Sequence, residues 1–307
     1  MKEPDITIIT PVYYAKDDFL KRIAKSVKEQ NYSGKITHIF IKDNPKNQHK
    51  IDGINIINNS QNIGLAASLN KGFKIAKTNI VISLMEDCLP SSKKWLSDLV
   101  APFENKNVVA TISSVELPKK FWNKFNFLSK IMTAKEQRII TPGTDGKACA
   151  YRKNVVMKIG GFDNKTFRTA GEDNVIYYYL KQNGLVINTF AKVYHYHFTT
   201  FIQRVKKEIQ YNEGLGTTLR NYPKSLFVKI KLYSLIKFLS PILLLSKKYF
   251  WTGIIIIIIF SNYDIKWVIK KFKSPISWII SITIKTFIYP LVFYGFWKGF
   301  LSGKQRI

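Results

Sequence analysis

Short β-branched runs alternate with amphipathic stretches along the first third of the chain. Residues 5–10 (DITIIT) are an apolar run stopped by Pro11, which predicts a buried strand. Residues 17–30 follow with Phe19, Leu20, Ile23, Ala24 and Val27 at helical spacing, and Asp17 or Asp18 is placed to cap that helix. Strands are predicted over 36–41, ending in the turn cluster Lys42-Asp43-Asn44-Pro45, and over 54–57. A helix over 66–76, a strand over 79–84, a helix over 93–103 and a strand over 108–112 continue the alternation. This order implies an α/β fold with a mostly parallel central sheet, right-handed crossovers and helices on both faces.

Beyond Ser114 the pattern loosens. Residues 118–138 are aromatic and basic, and 141–146 form a loop rich in Gly and Pro. Residues 148–152 lead into a helix ending at Gly160-Gly161. A helix over 172–183 is closed by Gly184, and 185–197 hold a final strand or two. From near Pro223 the chain turns apolar. Residues 224–237 read as an amphipathic basic helix; 238–246 and 249–261 are apolar but divided by Lys247-Lys248. One span across both would place two lysines near mid-bilayer, at roughly 2.5–3.5 kcal/mol each. Each half alone falls short of the ~20 residues that cross. Residues 276–297 are long enough to cross and hold only Lys285, with Pro290 as a point of kinking. The expected organisation is a catalytic domain over 1–220, its nucleotide-binding half about 1–115 and its acceptor half about 116–220, then a membrane-associated helical region over 221–307.

Charge sharpens that division. The 307 residues carry a formal +28, and residues 220–307 hold 15 Lys+Arg against one acid, Asp264. Such asymmetry points to an anionic partner surface. Interleaving with long Ile, Leu, Phe and Trp runs selects a membrane over nucleic acid. The two cysteines, Cys88 and Cys149, lie in no metal or disulfide pattern and read as reduced thiols. The first apolar run is too short for a signal peptide and reads as a strand.

The chemistry gathers at strand ends, where open α/β sheets collect ligands. Asp87 ends the 79–84 segment as part of Glu86-Asp87, before the break Cys88-Leu89-Pro90. A carboxylate there is placed to ligate Mg²⁺ or Mn²⁺ holding a diphosphate. Asp43, at another strand end, can accept a base or ribose hydrogen bond; its plainer role is an Asp-Asn turn. In the string from Asn62 to Gly72, Asn62, Gly64 and Asn70 offer close backbone approach and amide contacts, or ordinary turn and cap chemistry. Glu172-Asp173 opens an apolar helix, where acids suit the macrodipole. A carboxylate there can also take the proton of a sugar hydroxyl attacking an anomeric carbon. His195 and His197 are expected to point to opposite faces of a strand, so that at most one, His195, reaches the metal or diphosphate.

These residues together resemble a known family. Thr7 to Tyr13 (TIITPVY), Asp43-Asn44, Asn62 to Gly72, Leu84 to Pro90 with Trp95-Leu96, Gly160-Gly161-Phe162-Asp163 and Glu172-Asp173 resemble glycosyltransferase family 2. The Leu-x-x-Asp-x-x-Pro form followed by Trp-Leu is similar to its rhamnosyltransferase-like branch. The resemblance covers about residues 5–200. It implies a GT-A fold and an inverting, metal-dependent transfer from a nucleotide diphosphate sugar. It implies that Pro11, Tyr13, Asp43, Asn62, Gly64, Asn70, Glu86 and Asp87 bind the donor. Asp87 with His195 would hold the cation, and Asp173, with Glu172 beside it, would be the base. Two positions depart from the family: Met85 stands at the first position of the DxD-type motif, and Tyr179 where many relatives carry Arg. No Gln-x-x-Arg-Trp is present, which favours single addition over polymerisation. The expected acceptor is a glycan or lipid-linked precursor at the cytoplasmic membrane face. A nucleotidyltransferase is disfavoured by Pro11-Val-Tyr-Tyr in place of a Gly-rich basic loop. A non-catalytic partner subunit has Met85 as its only support.

Overall fold

The structure is a computed structural model that describes residues 2–45, 51–137 and 146–306. In chain order the elements are β1 (Ile6–Val12), α1 (Asp17–Lys28), β2 (Ile36–Lys42), β3 (Ile56–Asn58), α2 (Leu65–Ile75), β4 (Ile80–Leu84), β5 (Cys88–Pro90), α3 (Trp95–Val100) and β6 (Val108–Glu116). Then come α4 (Lys119–Trp122), α5 (Phe127–Thr133), β7 (Ala148–Arg152), α6 (Lys153–Lys158), α7 (Glu172–Asn183) and β8 (Leu185–His195). The chain ends with α8 (Phe201–Asn221), α9 (Val228–Leu239), α10 (Phe250–Ser261), α11 (Ile265–Phe272), α12 (Pro275–Phe287) and α13 (Tyr289–Ser302). The Gly- and Pro-containing loop expected over 141–146 lies, except for Gly146, outside the described residues.

The strands form one sheet in the order β3-β2-β1-β4-β7-β6-β8-β5. From β3 to β4 every pair is parallel, as the strand–helix alternation implies. Beyond β4 the sheet is mixed: β7 runs antiparallel to β4 and β6, β5 antiparallel to β8, and only β6–β8 is parallel. β7 has the sequence ACAYR and was expected to lead into a helix. Its small residues carry little strand propensity, yet Ala148, Cys149 and Ala150 are fully buried between two strands.

Side chains alternate across the pleat. Ile6, Ile8, Phe40 and Ile82 pack with Leu20, Ile23 and Val27 of α1 on one face. Ile9, Ile39, Ile41 and Val81 pack with Leu69 and Phe73 of α2 and with Ile176 and Leu180 of α7 on the other. β1 is therefore covered on both faces and buried at all seven positions. The expected side-chain cap of α1 is not made: Lys16 is the N-cap residue, and Asp17 and Asp18 fall in the first turn, where they face the helix dipole.

The chain divides into two compact units, one of residues 1–118 and 138–197, the other of 119–137 and 198–307. The expected boundary at 220/221 lies at the end of α8, inside the second of these units, and that helix is tied to the tail. Arg220 donates to the carbonyls of Phe300, at 2.9 Å, and Leu301, and Asn221 Nδ2 to that of Gly303 at 2.6 Å. A capping box starts α8: Gln203 N donates to Thr200 Oγ1 at 3.3 Å and Thr200 N to Gln203 Oε1 at 2.9 Å.

Glycine lets α8 and α13 meet at backbone distance. A Cβ at Gly216 would lie 2.1 Å from the Phe296 carbonyl, and one at Gly299 would lie 2.0 Å from that of Glu213. Neither obstacle is a side chain that swings aside. Gly299→Ala is expected to destabilise the protein by about 1–3 kcal/mol, more than its gain in helix propensity of about 1 kcal/mol. A urea-midpoint comparison checks this; an unchanged midpoint would mean that the two helices are not packed this closely.

Among the described residues no single helix is long and apolar enough to cross a membrane. The stretch 276–297, expected to be long enough, breaks at Ile288 into α12 and α13, which meet at a 42° bend with Pro290 in the first turn of α13. Alpha10 and α11 make a second bent pair, at 58°. Either pair passes the test of length and composition when taken together.

Candidate functional site

Strand β4 ends at Leu84, and the turn behind it carries Glu86 and Asp87 in different directions. The Asp87 carbonyl accepts from Tyr196 N at 2.7 Å, which fixes the turn against the end of β8. Its carboxylate Oδ2 lies 3.0 Å from His195 Nε2 and 3.5 Å from His197 Nδ1. The two imidazoles are stacked, 5.6 Å between centroids and 8° between planes. Asp87, His195 and His197 each offer one ligand atom, all within 4.8 Å of one another. Burial opposes ionisation of Asp87, yet the charges and hydrogen bonds of His195 and His197 hold its carboxyl well below the usual carboxylate range.

Both histidines face Asp87, against the expectation of opposite faces. Residues two apart on a strand share a face, because the pleat has period two. His197 is thus the candidate ligand that sequence reasoning missed, and the His-x-His spacing was its signal. One carboxylate oxygen and two imidazole nitrogens suit a divalent ion that accepts nitrogen as well as oxygen, and suit the oxygen-seeking Mg²⁺ less.

Glu86 is turned the other way. Its carboxylate accepts the backbone N–H groups of Tyr13 at 3.0 Å, Tyr14 at 3.2 Å and Ala15 at 2.7 Å. It staples the loop between β1 and α1 and leaves the Tyr13 and Tyr14 rings exposed. Burial raises the Glu86 carboxyl, against the three N–H groups, with Asp87 adding to the rise. Within the field of Glu86 lies Lys42, 2% exposed, whose ammonium makes no hydrogen bond among the described residues. Burial lowers the Lys42 ammonium, opposed by the charges of Glu86 and Asp17. Pro11 is buried within β1, in register with Ile41.

Asp43, at the end of β2, holds the other loop. Its carboxylate accepts from Ile63 N and Gly64 N, each at 2.8 Å, and from Asn59 Nδ2 at 2.9 Å. Asn62 Oδ1 accepts from Gly64 N at 3.1 Å. Gly64 precedes α2 with φ of +87°, a conformation open to glycine. Asp43 and Asn62 thereby shape the turn rather than project freely. Asn70 sits a turn and a half along α2, and its amide is used up by Phe162: it donates to the carbonyl at 2.7 Å and accepts from the N–H at 2.8 Å. A Cβ at Gly161 would come within 2.4 Å of Asn70 Oδ1, so Gly160-Gly161 allows this clasp. Trp95 and Leu96 of the same sequence pattern are core residues, 0% exposed.

Glu172 and Asp173 open α7 after Gly171, whose φ is +111°. Their environments differ. Glu172 is 6% exposed, and its Oε2 has no hydrogen-bond partner among the described residues. Burial pushes its carboxyl up to about 8, Asp173 adding to the rise and Lys147 opposing it. Asp173 is half-buried and accepts from Asn174 N at 2.9 Å. Lys147 connects this helix end to β4, since its carbonyl accepts from Met85 N at 2.9 Å. Neither Lys147 nor Lys42 had a motif that singled it out from sequence.

All of these groups sit in unit one, and Glu86, Asp87, Asp43, His195 and the Glu172-Asp173 pair lie at the ends of β4, β2 and β8 or at the start of α7. The structure brings Asp87, His195 and His197 into one cluster, joins Glu86 to the Tyr13 loop and Asp43 to the Asn62–Gly64 loop, and spends Asn70 on Phe162.

Residues 7–160, half of the chain, match the family model described as glycosyl transferase family 2. Among solved structures the chain is similar to the mannosyltransferase PcManGT from Pyrobaculum calidifontis in complex with GDP-Man and Mn²⁺. That likeness has 14% identity and a TM-score of 0.60, and covers 98% of this chain and 88% of that one. No curated protein matches the chain.

Proposed function

The chain belongs to glycosyl transferase family 2, and we propose that it is an inverting enzyme moving one sugar from a nucleotide diphosphate sugar to a glycan or lipid-linked acceptor. The observation that carries the reading is the cluster of Asp87, His195 and His197 at the ends of β4 and β8, beside the two loops held by Glu86 and Asp43. A fold shared with a transferase solved with a nucleotide sugar and Mn²⁺ supports it.

Asp87, His195 and His197 would hold the divalent cation, which when bound supplies positive charge to the leaving diphosphate. The histidines serve as ligands only when neutral, so the cation takes over the charge partnership with Asp87. Glu86 fixes the loop that presents the exposed Tyr13 ring to the nucleotide, and Asp43 fixes the turn at Asn62–Gly64. Asp173 takes the proton from the acceptor hydroxyl as its oxygen attacks the anomeric carbon. The bond from that carbon to the diphosphate breaks on the opposite side, and the configuration inverts. The basic, apolar helices of the second unit place the enzyme at the anionic cytoplasmic face of a membrane.

Purified protein incubated with Mn²⁺ is expected to release one nucleoside diphosphate slowly from a panel of UDP-, GDP- and dTDP-sugars. The panel includes GDP-mannose, for the solved relative, and a dTDP-deoxyhexose, for the rhamnosyltransferase-like resemblance. Chelation with EDTA is expected to remove at least about 90% of the release, in line with the 10²-fold or larger effects of electrostatic stabilisers. Silence across the panel, with no nucleotide-induced rise in Tm, would defeat the enzymatic reading and leave the partner-subunit one.

A further inference from the structure

The helical unit contains a second polar centre. Arg204 is paired with Glu136 and, at 2.6 Å, with Glu208; Lys285 is paired with Asp264. Lys135 donates to the Tyr263 hydroxyl at 3.3 Å and lies within the fields of Glu208 and Asp264. Lys237 is a fourth cation, 8% exposed. Its ammonium lies 5.2 Å from the Phe238 ring and makes no hydrogen bond or ion pair among the described residues. Three carboxylates therefore answer four cations, and the surplus charge is positive.

Lys135, Glu208, Lys237, Ser261, Asp264 and Lys285 line a cavity of about 40 Å³. Roughly 10–15 Å³ admits one water, so the space takes a group of a few heavy atoms. The Ser261 hydroxyl is buried with no hydrogen-bond partner among the described residues. Burial pulls the Lys237 ammonium down to about 8, only partly opposed by Glu208 and Asp264, with Lys135 and Lys285 lowering it further. A buried unpaired charge is costly, and an anion in the cavity would remove that cost. A second cation would not, because each carboxylate already has a cationic neighbour.

The elements that supply these groups also carry exposed apolar side chains. Alpha9, with Lys237, exposes Leu235 and Leu239; α10, ending at Ser261, exposes Ile255 and Ile259; α12, with Lys285, exposes Ile279 and Phe287. We propose that the cavity binds the phosphate group of an amphiphile, held by the Lys237 ammonium and the Ser261 hydroxyl, with its hydrocarbon chain lying along these exposed side chains. The phosphate charge complements the surplus cation, and the chain covers surface that water otherwise solvates. This deepens the lipid-linked acceptor part of the proposed function and rests on it for its biological role alone.

The test is binding of dodecyl phosphate, below its micelle concentration, to the full-length protein by calorimetry at about 150 mM salt, which screens the diffuse surface charge. No nucleotide sugar is present, so the outcome is separate from that of the transferase reading. Lys237→Met is expected to weaken binding at least about tenfold while keeping or raising Tm, since it removes a buried unpaired charge. Ser261→Ala is expected to weaken it less, and exposed Lys247→Gln/Lys248→Gln to leave it unchanged. Lys237→Arg, which keeps the charge, is expected to retain most of the binding and guards against a misfolded Met variant. Equal binding by Lys237→Met would overturn the proposal. So would equal binding of dodecyl maltoside, which would mean apolar surface alone. Inorganic phosphate binding as tightly as dodecyl phosphate would overturn it too, by making the site one for a free anion.

Discussion

Asp87→Asn is expected to lower kcat/KM for sugar transfer by at least about 10²–10³-fold and to abolish stoichiometric Mn²⁺ binding. The amide keeps the volume and one carbonyl oxygen, so His195 Nε2, 3.0 Å away, retains a partner. What disappears is the negative charge at the centre of the cluster. His195→Asn and His197→Asn remove one nitrogen ligand each and are expected to cost about 10–100-fold in metal affinity. Titration with Mn²⁺ followed by electron paramagnetic resonance reads the three variants directly. The ordering matters: His197→Asn behaving as wild type would return the site to the two-ligand form that sequence reasoning expected. Full activity and full Mn²⁺ binding in Asp87→Asn would remove the metal reading altogether.

The parallel half of the sheet was legible because β1, β2 and β4 are apolar runs, β2 and β4 followed by Asp43 and Glu86, although β1 runs through Pro11 to Val12 rather than stopping at it. β1 and β4 are buried at every position and β2 over its last four, which leaves little polar alternation to confuse them. β5 and β7 were not legible. A three-residue strand has no periodicity, and Ala148-Cys149-Ala150 has neither branching nor alternation, its strand state imposed by β4 and β6 on either side. The start and end of α7 were read correctly, because Gly171 and Gly184 punctuate it. The tail was read as apolar and basic with Pro290 as a point of kinking, and α12 and α13 do meet at a bend there, whereas the break between α10 and α11 has no proline to announce it. Lys285, expected as a lone charge in a long apolar stretch, is neutralised by Asp264, 21 residues earlier. Within the site, residue types were legible and partners were not. Glu86, Asp43 and Asn70 look alike as polar residues near a turn. Only the fold shows that Glu86 and Asp43 bind loop N–H groups and that Asn70 binds Phe162.

The pair opening α7 separates into two roles by environment, and the largest contrast between neighbouring substitutions is expected there. Glu172, pushed up to about 8 by burial and by Asp173, is mostly protonated at pH 7. A protonated acid cannot take the acceptor proton, which leaves that role to Asp173. Asp173→Asn is therefore expected to lower kcat by about 10²–10⁴-fold with little change in KM for the donor. Glu172→Gln imitates the protonated acid and is expected to stay within about threefold of wild type at pH 7, since each 1.4 kcal/mol is tenfold. Stability separates the two residues independently. Between its ordinary 4.5 and about 8, folded Glu172 holds a proton that the unfolded chain has released. The folded state then binds more protons, so stability falls as pH rises through that window. Glu172→Gln lacks this loss, and its Tm should gain on wild type by about 2–4 °C per kcal/mol recovered, with the gap widening from pH 5 to pH 8. Measured activities settle the assignment: an inactive Glu172→Gln beside an active Asp173→Asn would make Glu172 the base, and a Tm gap constant with pH would mean that Glu172 titrates normally.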